Sequence, residues 1–250
     1  MSLLNPFAAG PSAELQHYRA VRERMVTLLS ACLATLIPDE LTATAKRLGM
    51  WSNGALIVDD EMARIFVFDA AIFQYRRSGE TAVGRALRNL PPEAPALDRA
   101  ILAGGLRYRW SVYEVVRIHR HEGGDLRDTL DGTVLRVWDE GLARDSKTGN
   151  RVAVRLVPVD DLWVTSGPAI AGIQGPITDM AHDCLPPAWH DSAAWPVVGT
   201  PDRDRLDLML MAACQPWSDG SSLPATEPPR KGPCPCGSGK KFKHCCGKER

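Results

Sequence analysis

Residues 110–120 read WSVYEVVRIHR, a run dense in β-branched and aromatic side chains. The segments DLRDTL, TVLRVWDE, RVAVRLVPV and LWVTSG follow at short intervals through Gly167. Between them lie HEGG, DG, SKTGN and DD, all of them turn chemistries. Five short strands joined by tight turns predict a small antiparallel sheet or a partly closed barrel, with no single barrel topology dictated.

Upstream the period changes from two to between three and four. Leu15, Tyr18, Val21, Met25, Leu28, Leu29, Cys32, Leu33 and Leu36 form the apolar stripe of an amphipathic helix. Ser12 is placed to cap it and Pro38 ends it; Asp39 then suits the cap of a shorter helix that stops at Gly49. Met62, Ile65, Phe66, Ile72 and Phe73 fit another helix behind Asp60, although RIFVF also alternates as a strand would. Residues 81–90 and 96–106 read as two short helices separated by Pro91, Pro92 and Pro95. Lys46, Arg47, Arg76 and Arg77 fall at helix ends, where basic side chains favour the macrodipole.

Beyond Gly167, prolines interrupt the chain until DRDRLDLMLMAAC, a helix with Asp202 placed to cap it. The expectation is an α+β body over residues 1–215, helical over 12–106, β over 110–167 and irregular or helical over 168–215. Residues 216–232, QPWSDGSSLPATEPPRK less its first residue and running into Gly232, have the polar, proline-rich composition of a linker. Residues 233–250 form a separate knuckle.

With 250 residues and 44% hydrophobic content, the chain is large enough to bury a core. Thirty basic side chains balance thirty acidic ones, so no overall field draws it to nucleic acid or an acidic membrane. The distribution is uneven, because residues 230–250 hold seven basic side chains against one acidic. No window approaches the roughly 18 uninterrupted apolar residues of a membrane span, and no leader pattern opens the chain. A cytoplasmic protein without membrane insertion is expected. Of seven cysteines, Cys32, Cys184 and Cys214 are isolated while four crowd into the tail, which in a reducing compartment points to metal.

That tail reads PCPCGSGKKFKHCCGKER. Cys234 and Cys236 lie two apart, so an extended segment presents both thiols on one face, and Pro235 keeps it extended. Gly237, Ser238 and Gly239 permit a reversal, and KKFKHCC returns Cys245 and Cys246 to the first pair. Four thiolates from two arms match the closed tetrahedral site of structural Zn2+, with no position left for a catalytic water. Lys240, Lys241, Lys243 and Lys248 would offset its negative charge. Phe242 is the segment's only large apolar side chain, so metal binding, worth about 10–16 kcal/mol in zinc-finger peptides, would supply most of its folding free energy.

PCPCGSGKKFKHCCG resembles the SEC-C motif, the zinc module at the C-terminus of the SecA translocase motor. The resemblance implies Cys234, Cys236, Cys245 and Cys246 as ligands, with Cys246 where SecA usually has histidine and His244 as a competing donor. Its counterpart in SecA contacts the SecB chaperone and the ribosome. This implies a zinc-binding adaptor that docks on a protein or ribosomal partner through Lys240, Lys241, Phe242 and Lys243. No P-loop accompanies the motif, since Ser238 stands where its lysine would be, so the motor is absent. Residues 62–167, with SVYEVVRI, LRDTLDG and RLVP, are similar to a helix-plus-barrel region that precedes this motif in uncharacterised bacterial SEC-C proteins.

Two other readings have residues behind them. His182, Asp183, Cys184 and His190 could form a nucleophile system or a second metal site, although an irregular segment gathers such residues without purpose, and no enzyme is expected. His119 and His121 beside Glu122 suit an exposed turn. An RNA-binding module could combine the β region with the basic knuckle. Against it, the strands carry Glu114, Asp125, Asp128, Asp131, Asp139 and Glu140, and no basic stripe stands out.

Overall fold

The computed structural model describes residues 12–57, 61–214, 240, 241 and 244. Its helical layer assembles around α1 (Ala13–Ala34), whose first turn is closed by Ser12 Oγ accepting the Leu15 N–H at 3.1 Å. The stripe Leu15, Tyr18, Val21, Met25 and Cys32 is buried. It is covered by α3 (Glu61–Phe73), α4 (Ala82–Arg88) and α5 (Ala96–Gly105). RIFVF is helical, because Ala63, Phe66, Val67 and Ala70 are buried together at helical spacing, a set that a strand would split between two faces.

The second helix, α2 (Pro38–Arg47), begins one residue earlier than the expected Asp39 cap. Pro38 takes the first helical position, and Glu40 turns back to accept the Ile37 N–H at 2.7 Å. Glu40 is only 1% exposed, and Arg85 at 3.1 Å and Arg77 at 3.3 Å neutralise it. Between α2 and α3 a small hairpin, β1 (Trp51–Ser52) and β2 (Ala55–Leu56), turns through Asn53 and Gly54 at φ of 50° and 79°. Asn-Gly favours this positive-φ turn.

The five expected strands are β3 (Arg109–His119), β4 (Gly123–Asp128), β5 (Val134–Trp138), β6 (Arg151–Val159) and β7 (Leu162–Ala171). They close completely, in the order β3-β4-β5-β7-β6 and back to β3. All pairs are antiparallel except β5 with β7, and the helix α6 (Glu140–Asp145) is inserted between β5 and β6. This is the connectivity of an OB-fold barrel. Closure removes the open edges that a flat sheet would expose. Irregular register at residues 115–117 of β3 and 154–156 of β6 supplies the bends that closure requires. Tyr113, Val115, Leu126, Val137, Val152, Val154 and Leu156 fill the interior.

One part of the outer barrel surface lies under the helices. Trp110, Val112, Ala153, Val157, Val159, Leu162, Val164 and Ile170 belong to the same buried cluster as the helical stripe. The chain then returns through α7 (Ile177–Cys184) and α8 (Pro201–Ala213). Thr200 caps α8, its Oγ1 accepting the Arg203 N–H at 3.3 Å, and Asp202 lies inside the first turn.

At Gly104, α5 packs directly on the backbone of β6. A Cβ on Gly104 would stand 1.9 Å from the Pro158 carbonyl oxygen, which is backbone and cannot swing aside. Gly104→Ala is therefore expected to force the helix off the strand and lower stability by about 3 kcal/mol, read as a drop in the urea midpoint.

Candidate metal module and its anchorage

The four tail cysteines Cys234, Cys236, Cys245 and Cys246 lie outside the described residues, as do Phe242 and Lys243. Lys240, Lys241 and His244 are described, and all three are exposed. The His244 N–H donates to the Lys241 carbonyl at 2.8 Å. The donor set fits zinc, since four thiols within 13 residues supply a full tetrahedral shell without drawing on the body. Among the described residues, no group of three or more His, Cys, Asp or Glu could hold a metal ion.

The tail leaves the body through α8, and α8 is held by buried charge. At the centre, Arg155 of β6 is 1% exposed, with its guanidinium 4.4 Å from the ring centre of Phe73 and 4.3 Å from that of Tyr108. Its Nε and Nη2 donate to Asp69 Oδ2 at 3.0 and 2.8 Å, and Nη2 also donates to Gln74 Oε1 at 2.9 Å. The other Asp69 oxygen accepts the Ser166 hydroxyl at 2.7 Å. From the far side, the Tyr108 hydroxyl donates to Asp207 at 2.9 Å and lies 3.3 Å from Asp204. Arg76 reaches Asp204 at 2.5 Å and Arg203 reaches Asp207 at 2.7 Å. Three guanidiniums thus meet three carboxylates where α3, α8 and the barrel converge.

Burial dominates the electrostatics of this cluster. It pushes the Asp204 carboxyl up to about 6 against the opposing pull of Arg76. Burial likewise raises Asp207. The Tyr108 phenol is held well above its ordinary value by burial and by neighbouring Asp207. Arg76 and Arg77, read from sequence as helix-end charges, instead serve as partners of Asp204 and Glu40. Arg76 and Asp204 are 128 positions apart, and no local pattern signals such a pair.

The other candidate residues do not assemble a reactive group among the described side chains. The His182 and Asp183 side chains lie outside those described. Cys184 is half-buried, and His190 Nε2 sits 3.0 Å from the Leu185 carbonyl oxygen. Cys214, at the end of α8, is buried, and burial pushes its thiol far up, which disfavours the thiolate a nucleophile needs. His119 pairs with Asp125 at 2.9 Å, and His121 holds a turn at φ 68°. An apolar cavity of about 320 Å³, lined by Leu36, Pro38, Leu41, Trp51, Leu56 and Phe68 among others, presents no convergent polar groups. No single described helix is long and apolar enough to cross a membrane; α1 and α2 pass that test only together, as a pair bent by 104°.

Fold and tail define an α+β protein with a closed five-stranded barrel and a C-terminal SEC-C motif, a zinc-binding type of motif, matched over residues 230–248. Residues 12–172 match the Family of unknown function (DUF7986), and the chain belongs to that family. The chain is similar to the protein translocase subunit SecA of Halothermothrix orenii, 43% identical over 47 residues, which is 18% of this chain and 6% of that protein. It is also similar to SecA of Nitratiruptor sp., 77% identical over 22 residues, 9% of this chain and 2% of that one. The chain therefore spans only a small part of these curated relatives, and the likeness is confined to a short segment. No solved structure matches the chain.

The raised Asp204 carboxyl makes stability depend on pH. With a folded value near 6 against an unfolded value near 3.8, its contribution is fully present below about pH 4 and is lost as pH rises through 6. The wild type should therefore gain about 2 kcal/mol more than Asp204→Asn between pH 7 and pH 4.5. Urea titrations of both proteins at the two pH values measure the difference.

Proposed function

We propose that the protein is a zinc-binding adaptor whose C-terminal knuckle docks the body onto a protein or ribosomal partner. The observation that carries this reading is the SEC-C motif at residues 230–248, with all four thiols of a closed metal site. A closed tetrahedral shell has no room for substrate, so its work is to hold a surface in shape. In a knuckle this short that surface is Lys240, Lys241, Phe242 and Lys243, three charges for steering around one apolar anchor. Cys234, Cys236, Cys245 and Cys246 are the proposed ligands. Cys246 takes the last position because the motif that the tail resembles places its final ligand directly after the third, and His244 precedes it. The body has its own continuous buried cluster from helices and barrel, so it does not need the metal to fold. We place the protein in the cytoplasm, where reduced thiols remain available for zinc.

Co-sedimentation with purified ribosomes tests this directly. The intact zinc-loaded chain is expected to pellet with ribosomes, and Cys234→Ser/Cys236→Ser is expected to stay in the supernatant with the melting transition of its body unchanged. Pelleting that survives loss of these thiols would remove the knuckle from the docking site.

A further inference from the structure

The six acidic side chains that argue from sequence against a nucleic-acid surface are mostly used elsewhere in the fold. Asp128 is 1% exposed and receives the Ser111 hydroxyl, the Leu130 N–H and Arg109. Asp131 pairs with Arg109 at 2.7 Å. Asp139 caps α6 through the Leu142 N–H and accepts the Thr165 hydroxyl. Glu140 is paired with Arg19 of α1 at 2.6 Å. Only Glu114 and Asp125 remain on the outward face of the strands.

Arginine outnumbers them on that face. Register places Arg151, Glu114, Arg127 and Val134 in one row across β6, β3, β4 and β5, and Arg117, Asp125 and Arg136 in the next row across β3, β4 and β5. Each carboxylate is thus flanked on both sides by guanidiniums. Strands lie about 4.8 Å apart, so the arginines within a row stand roughly 10 Å from one another. Glu114 pairs with Arg127 at 3.5 Å, Asp125 is taken by His119, and Glu122 from the adjoining turn takes Arg136 at 2.5 Å. Arg117 is exposed and has no ion pair among the described residues. Arg136 Nη1 and Arg151 Nε are two of only four buried side-chain polar atoms there without a hydrogen-bond partner. Exposed Arg120 and Lys147 extend the positive charge at the turns on either side.

We infer that this outer face of β3, β4 and β5, with Arg151 at its edge, binds the phosphodiester backbone of a single RNA strand. A planar guanidinium fork matches a phosphate in two parallel hydrogen bonds, and a regular grid of forks suits a ligand with one charge per repeat. A single strand is flexible enough to follow isolated forks on a curved barrel. The face offers no exposed ring for a base to stack on, since Trp138 is 8% exposed between Tyr18 and the Arg136 guanidinium. Binding is therefore led by the backbone, indifferent to sequence and steeply dependent on salt. The barrel connectivity alone assigns no activity; the arginine excess carries the inference. It stands independently of docking by the knuckle.

The test uses the full chain and a fluorescein-labelled 20-nucleotide oligouridylate, followed by anisotropy between 50 and 200 mM salt. Arg117→Glu/Arg136→Glu should weaken binding at least tenfold, whereas Arg107→Glu, an exposed charge between α5 and β3, should leave it unchanged. Should the reversal impair folding, Arg117→Gln/Arg136→Gln should flatten the logarithmic salt slope by about 1.4, the value for two lost phosphate contacts on a single strand. Unchanged binding in a folded Arg117/Arg136 variant would overturn the inference. So would loss seen only in Lys240→Glu/Lys241→Glu/Lys243→Glu, which would place RNA on the knuckle. Competition by polyglutamate as effective as by unlabelled oligouridylate would point to an acidic peptide instead and would equally overturn it.

Discussion

Arg155 is the residue on which the arrangement of layers depends. A guanidinium that is 1% exposed in the middle of a protein must be neutralised and hydrogen-bonded, and Arg155, with only Nη1 left without a partner, draws its partners from outside its own strand. Asp69 and Gln74 come from α3 and the residue just past its end, and the ring of Tyr108 from the residue before β3. Tyr108 in turn holds Asp207 and so fixes α8. An apolar side chain at position 155 could fill the space between the two rings, yet it would leave Asp69 charged and unpaired, at a typical cost of about 3–5 kcal/mol. One cation thereby sets where α3, α8 and the barrel lie relative to one another. Hydrophobic burial drives the layers together; this network selects their register.

The fold was readable in the sequence where the signal is local. The stripe from Leu15 to Leu36, the five β-rich segments and the apolar helix before Cys214 all stand in the structure, because periodicity reports which face a residue turns to the core. Barrel closure was not readable. It depends on β3 pairing with β6 and β5 with β7, contacts between segments that no turn joins directly. The caps lie two residues before the expected Asp39 and Asp202, at Ile37 and Thr200, for a related reason. Asp39 and Asp202 each have the right chemistry, but Glu40 reaching back and Thr200 one position before Pro201 satisfy the first N–H groups instead. Asn53-Gly54 carries its hairpin signal locally.

The site divides along the same line. The motif in the tail is legible because it is a matter of cysteine spacing within a short segment and needs nothing from the rest of the chain. The arginine face is illegible because its sign depends on where acids point. A count along the strands finds carboxylates interleaved with guanidiniums, while the folded chain buries Asp128 and spends Asp139 and Glu140 on α6 and α1. Charge counted along a strand is a poor guide when the two faces of that strand meet different surroundings.

Body and tail therefore reach stability by different physics. The body gathers apolar side chains from helices and barrel into buried clusters, whereas the tail has Phe242 as its only large apolar side chain, and on the proposed reading a metal takes the place of a core. Zinc per chain, determined by plasma mass spectrometry on the intact protein and on Cys245→Ser/Cys246→Ser, tests that division most directly. One zinc in the former and none in the latter, with both bodies melting together, is the predicted result. Zinc retained by the variant, or a body that unfolds when the tail loses its metal, would contradict it.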